Sequence, residues 1–126
     1  MKPVVCLITG PPGVGKSSVA KALVQAFPRA VRIDVDLLRH LVEKGYASPS
    51  QKTEEAGKQV RIAAENTCLL AENFVKAGFA VFIDDVVISK QRLDFFFKKL
   101  LSGVSRAFID GFFSFGLRKF IEVARF

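Results

Sequence analysis

Residues 4–9, VVCLIT, form a continuous apolar, β-branched run closed by Gly10, the pattern of a strand buried on both faces of a parallel sheet and so placed centrally. From Lys16 the spacing turns helical, with Val19, Leu23 and Phe27 on one stripe and Pro28 as the stop. Residues 30–34, AVRID, read as a second strand. Residues 35–44 then read as a helix with Leu37, Leu38, Leu41 and Val42 inward and Gly45 at its C-terminal cap. After a polar loop at 47–51, residues 53–77 predict a long helix capped by Thr53, burying Val60, Ala64, Thr67, Ala71 and Phe74, and ended by Gly78. Residues 79–83, FAVFI, are a third strand running into Asp84 and Asp85, and 89–101 a helix carrying Leu93, Phe96, Phe97, Leu100 and Leu101. Strands alternating with helices define an α/β class: a mostly parallel sheet between two helical layers, joined by right-handed crossovers.

The last stretch breaks this regularity. Residues 104–109 fit a fourth strand, while six of the thirteen phenylalanines crowd into residues 108–126. Phe113, Leu117, Phe120, Ile121 and Ala124 fall at helical spacing, with Arg118, Lys119 and Arg125 elsewhere on the wheel. At 126 residues the chain is the size of one domain, with a recognisable core to residue 103 and an atypical Phe-rich tail from 104 to 126.

Composition narrows the class further. Half the residues are apolar and a quarter charged, a globular balance rather than a disordered or fibrous one. Residues 1–85 carry 11 Lys+Arg against 9 Asp+Glu, a net +2, and residues 86–126 carry 8 against 3, a net +5, so the +7 of the whole belongs mostly to the last third. No five like charges run together, so this basicity reads as a solvated face, and neither nucleic acid nor a membrane is inferred as a partner. Cys6 and Cys68 lie in apolar segments without metal-site spacing, as core thiols of a reducing compartment do. The short apolar run after Met1, Lys2 and Pro3 is neither a spanning helix nor a signal peptide, and a cytosolic location is expected.

The chemistry lies in the turn between the first strand and the first helix. Gly10, Pro11, Pro12, Gly13, Val14, Gly15, Lys16 and Ser17 match G-x-x-x-x-G-K-[ST] in the strand-to-helix context that a P-loop requires. Glycines let successive backbone N–H groups curl toward one phosphate, and the helix after them adds the positive end of its dipole. Lys16 supplies a full charge to the β- and γ-phosphates of a nucleoside triphosphate, the Ser17 hydroxyl is a candidate ligand for Mg²⁺, and Ser18 is a weaker candidate for a neighbouring phosphate contact.

Carboxylates decide which reaction a bound nucleotide undergoes. Asp34 and Asp36, in I-D-V-D, fall at the carboxyl end of the second strand, the edge at which open α/β sheets bind ligands. Either suits an attacking hydroxyl as base or orienter, and either suits an N-cap for the next helix. Asp84 and Asp85 come after an apolar strand as a Walker B carboxylate does; Asp84 is assigned to Mg²⁺ and Asp85 to the substrate side, with capping as the alternative for one of them. Arg39 and Arg61 are candidate phosphate or substrate contacts. His40 has no partner legible in the sequence and reads as a helix-surface residue.

With GPPGVGKSS, IDVDLLR and AGFAVFIDDVVIS in hand, the chain resembles the small P-loop kinases, especially the chloramphenicol phosphotransferase-like group, and more distantly shikimate kinase and zeta toxin. The likeness covers about residues 3–100. It implies ATP and Mg²⁺ as cofactors, a small hydroxyl-bearing acceptor, Asp36 as the base with Asp34 beside it, and Arg39 on the substrate side. Such kinases continue through an arginine-bearing lid and a final strand with an adenine-holding loop. Residues 104–126 do not resemble that continuation, so a C-terminally incomplete P-loop NTPase fold is expected, with an open sheet edge or apolar tail at which a second copy would attach. Two other readings stand beside the kinase: a nucleotide-binding protein with little turnover, and a membrane-associated ATPase whose basic, Phe-rich tail lies in the interface plane.

Overall fold

The structure, a computed structural model, describes residues 4–9, 16–85 and 105–110. Within them run β1 (Val4–Thr9), α1 (Lys16–Gln25), β2 (Ala30–Asp34), α2 (Val35–Arg39), α3 (Glu54–Lys76), β3 (Ala80–Asp85) and β4 (Ser105–Asp110). The strands form one parallel sheet in the order β2-β3-β1-β4. The fold is that of a P-loop NTPase, with the parallel sheet that the alternating pattern predicts. The helices expected over 89–101 and 113–124 lie outside the described residues.

Strand alternation divides the core in two. Val5 and Leu7 of β1, Ile33 of β2 and Val81 and Ile83 of β3 pack with Val35 of α2 and with Ala63, Ala64, Cys68 and Ala71 of α3. On the other face Cys6, Ile8, Ala80 and Phe82 meet Ala20 of α1, with Leu23, Val24 and Phe27 against them. Phe27 sets its ring edge-on to Phe82 at 5.5 Å. The α1 helix stops at Gln25, before Pro28, and two i→i+3 bonds tighten its exit: Ala26 N–H to Leu23 at 3.0 Å and Phe27 N–H to Val24 at 3.3 Å.

The second helix departs from its sequence reading. It ends at Arg39 rather than at 44, and Leu37 and Leu41, expected inward, are 65% and 68% exposed. Val35 and Arg39, four residues apart, take the inward positions instead. An arginine in a core position sets the phase of the helix, and a hydrophobic pattern is blind to it. Gly45 is therefore not a helix cap; it lies in the loop after α2 at φ +83°, a conformation favouring glycine.

The long helix agrees closely with the reading. Thr53 Oγ1 accepts from Ala56 N–H at 3.1 Å, and Glu54 and Glu55 oppose the dipole in the first turn. Its buried face is small: Ala56, Ala63, Ala64 and Ala71, with Gln59, Thr67 and Cys68, while Val60 and Phe74 are only partly covered. Small side chains let the helix lie close to the sheet. At the far end Gly78 has φ +90°. Its N–H donates to Val75 at 3.0 Å and the Phe79 N–H to Phe74 at 3.0 Å, while the rings of Phe74 and Phe79 meet edge-on. This is a Schellman termination with its hydrophobic contact, and it turns the chain directly into β3.

Candidate functional site

All four strands are parallel, so their carboxyl ends share one edge. There Asp34 is level with Asp84, and Thr9 lies between Asp85 and Asp110. Beyond Thr9 and the six residues of the loop, α1 begins with Lys16 and Ser17. Gly10, Pro11, Pro12, Gly13, Val14 and Gly15 lie outside the described residues. Ser18 is exposed in the first turn of α1.

The two aspartates of I-D-V-D have different tasks. Asp34 is the N-cap of α2: its Oδ1 accepts from the Asp36 N–H at 3.0 Å. The Asp36 side chain, 47% exposed, is left out of the cap and accepts from Arg39 Nη2 at 3.3 Å. His40, at the C-terminal cap of α2, holds its Nδ1 2.8 Å from the Asp36 carbonyl oxygen and 3.7 Å from Asp36 Oδ1. Its ring stacks on Tyr46 at 4.8 Å. His40 is at the surface as expected, with partners that the sequence did not disclose.

Asp84 and Asp85 are the last two residues of β3, and both are buried; the helix that one of them was expected to cap lies outside the described residues. Alternation puts Asp84 on the α1 face with Ala80 and Phe82, and Asp85 on the α2/α3 face with Val81 and Ile83. Their partners agree. Arg32 of β2 donates from Nη1 to Asp84 Oδ2 at 3.0 Å, and Arg39 donates from Nη1 to Asp85 Oδ1 at 3.4 Å. Arg39 is thus buried between Asp36 and Asp85. Arg61 is exposed on α3 and makes no ion pair among the described residues.

Arg32 was not singled out in the sequence. The signal was available: two residues before Asp34, it is a charged residue within a short strand, on the face that alternation assigns to α1. Gln59 was also missed. Buried on α3, it accepts from the Ala47 N–H at 2.9 Å and donates to the Gly45 carbonyl at 2.8 Å, tying the loop that carries Tyr46 to the long helix.

These features define a P-loop domain: a parallel sheet with the P-loop helix on one face, and acidic and basic groups gathered at the carboxyl edge. The chain belongs to the AAA domain family, whose sequence pattern matches residues 5–105. No curated protein matches it significantly. Among solved structures it is similar to APE1195, with 23% identity over 90% of this chain and 62% of that one and a TM-score of 0.67. It is also similar to the APS kinase CysC of Mycobacterium tuberculosis, at 21% identity over 86% of this chain and 76% of that one, TM-score 0.59. A sugar kinase from Janibacter sp. HTCC2649 shares 16% identity over 87% of this chain and 60% of its own, TM-score 0.59. At these identities the likeness is one of fold. The chain spans 38%, 62% and 36% of the first three structures it matches, less than two thirds of each. Among the described residues no helix is long and apolar enough to cross a membrane.

Proposed function

We propose that this domain binds ATP with Mg²⁺ and transfers the γ-phosphoryl group to a hydroxyl of a small molecule, with Asp36 as the residue that receives or orients the hydroxyl proton. The observation that carries this reading is the division of labour in I-D-V-D. Asp34 satisfies the helix cap, so the half-exposed Asp36 carboxylate is free of that duty at the ligand-binding edge of the sheet. The kinases among its structural neighbours support the same class.

Lys16 and the backbone of residues 10–15 would hold the phosphates. Ser17 and Asp84 are the residues this chain offers to magnesium, which usually takes one or two protein oxygens together with phosphates and water. Asp84 fits that demand as an oxygen donor at the strand end, on the face of α1, held by Arg32 at 3.0 Å. When bound, the ion neutralises charge on the transferring phosphoryl group. Asp85, Arg39 and Asp36 face the other side, where an acceptor would approach. Arg61, exposed on α3, is proposed as an acceptor contact. The test is ATP turnover with a panel of alcohols, polyols and sugars. A phosphorylated product that forms about 10² to 10⁴ times more slowly in Asp36→Asn is expected; ATP binding with no product from any member would leave a nucleotide-binding domain and refute the transfer.

A further inference from the structure

Arg39 is 7% exposed, yet it carries a full charge into a helix of five residues. Its two terminal nitrogens are engaged by carboxylates from different elements, Asp36 on α2 and Asp85 on β3, while its Nε is buried with no hydrogen-bond partner among the described residues. Leaving a buried donor unmet is unfavourable. The two bonds it does make, at 3.4 and 3.3 Å, are longer than ordinary charge-assisted ones. Packing alone would be served better by an apolar residue here. What the guanidinium achieves is a bridge. Asp85 sits within a strand, fully buried, and cannot move; Asp36 is half exposed on a short helix, and its side chain would otherwise rotate freely.

We infer that Arg39 is a positioning residue: it ties the Asp36 carboxylate to β3 through Asp85, fixing the direction in which Asp36 meets the acceptor, and it does not itself bind the acceptor. The inference rests on the proposed role of Asp36. It replaces the sequence expectation that Arg39 contacts substrate, because a buried guanidinium with both ends engaged has little left to offer a ligand. A planar fork is required to span two carboxylates, so lysine cannot substitute despite its charge.

The test uses the whole chain and whichever member of the alcohol, polyol and sugar panel gives product. Arg39→Lys is expected to lower kcat by about 10²-fold, as a misplacement of the order of 1 Å does, with KM for ATP and for the acceptor unchanged and the circular dichroism spectrum retained. In an Asp36→Asn background the same substitution should cost nothing more, because the group it positions is gone. A merely structural arginine would lower the folded fraction alike in both backgrounds and leave turnover per folded molecule intact; that result overturns the inference. So does a raised acceptor KM at parental kcat, which returns Arg39 to the substrate. If Arg39→Lys does not fold, Arg39→Gln, a shorter side chain that removes the charge and keeps a polar end, is read by the same criteria. An absence of product in the parent chain refutes the phosphoryl-transfer reading, and this inference with it; an active parent with a fully active Arg39→Lys refutes this inference alone.

Discussion

Asp84 and Asp85, neighbours in sequence, occupy opposite faces of the sheet, each bound to its own arginine: Arg32 at 3.0 Å on the α1 face and Arg39 at 3.4 Å on the α2/α3 face. One step along a strand therefore separates a carboxylate on the P-loop helix's side from one on the side of Asp36. Calorimetric titration with ATP, in Mg²⁺ and in EDTA, checks the assignment. Asp84→Asn should lose the gain in affinity that Mg²⁺ confers, whereas Asp85→Asn should keep it; the opposite result would exchange their roles.

Lys16→Ala removes the charge that the P-loop motif supplies to the phosphates from the first turn of α1. A hydrogen bond to a charged group is worth about 1.5–3 kcal/mol, so Mg·ATP affinity should fall roughly 10- to 100-fold with the circular dichroism spectrum intact. Parental affinity in the same titration would remove the P-loop from the functional reading.

The two aspartates of I-D-V-D should fail in different ways. Asp36→Asn is expected to lower turnover by about 10² to 10⁴ with ATP affinity nearly unchanged. Asp34→Ala loses the cap on the Asp36 N–H and should cost about 0.5–2 kcal/mol of stability. Urea unfolding beside steady-state kinetics separates them. Normal turnover per folded molecule in Asp36→Asn would end its assignment as base.

Burial pushes the Cys6 thiol from 9.0 up to about 12. The folded chain thus keeps a proton that the unfolded chain gives up above pH 9. Stability from this source is whole below pH 9 and is lost as pH rises toward 12. Each pH unit of that interval is worth about 1.4 kcal/mol, about 4 kcal/mol over all of it. Urea midpoints measured from pH 8 to 11 should fall more steeply in the parent than in Cys6→Ala, which lacks the thiol and shares every other titrating group. Parallel curves would contradict a buried Cys6.

Much of the molecule is legible in its sequence because the signals are local. The residues of β1 and β2 come directly from apolar runs, and Thr53 and Gly78 bound α3 by capping chemistry that acts within a few residues. The second helix escapes such a reading because Arg39 buries for the sake of partners 3 and 46 residues away, and periodicity cannot register a core position filled by a charge. The same long reach hides Arg32, whose partner lies 52 residues on. The pairing of residues 105–110 with β1 is likewise only partly visible. Both segments have the composition of strands, but which neighbour each takes is decided by the whole sheet.

The strand order also dictates when the sheet can come into being. Of the described strands, β1 and β2 are made before the others and are not neighbours; β3 lies between them, and β4 joins only on the far side of β1. None of the three strand pairings can be complete until residues 80–85 have been synthesised. Nascent chains shorter than this carry two apolar strands with nothing to pair with, exposed for several seconds at ordinary rates of translation. The segment that brings Asp84 and Asp85 to the site is therefore also the one that ends this period of exposure.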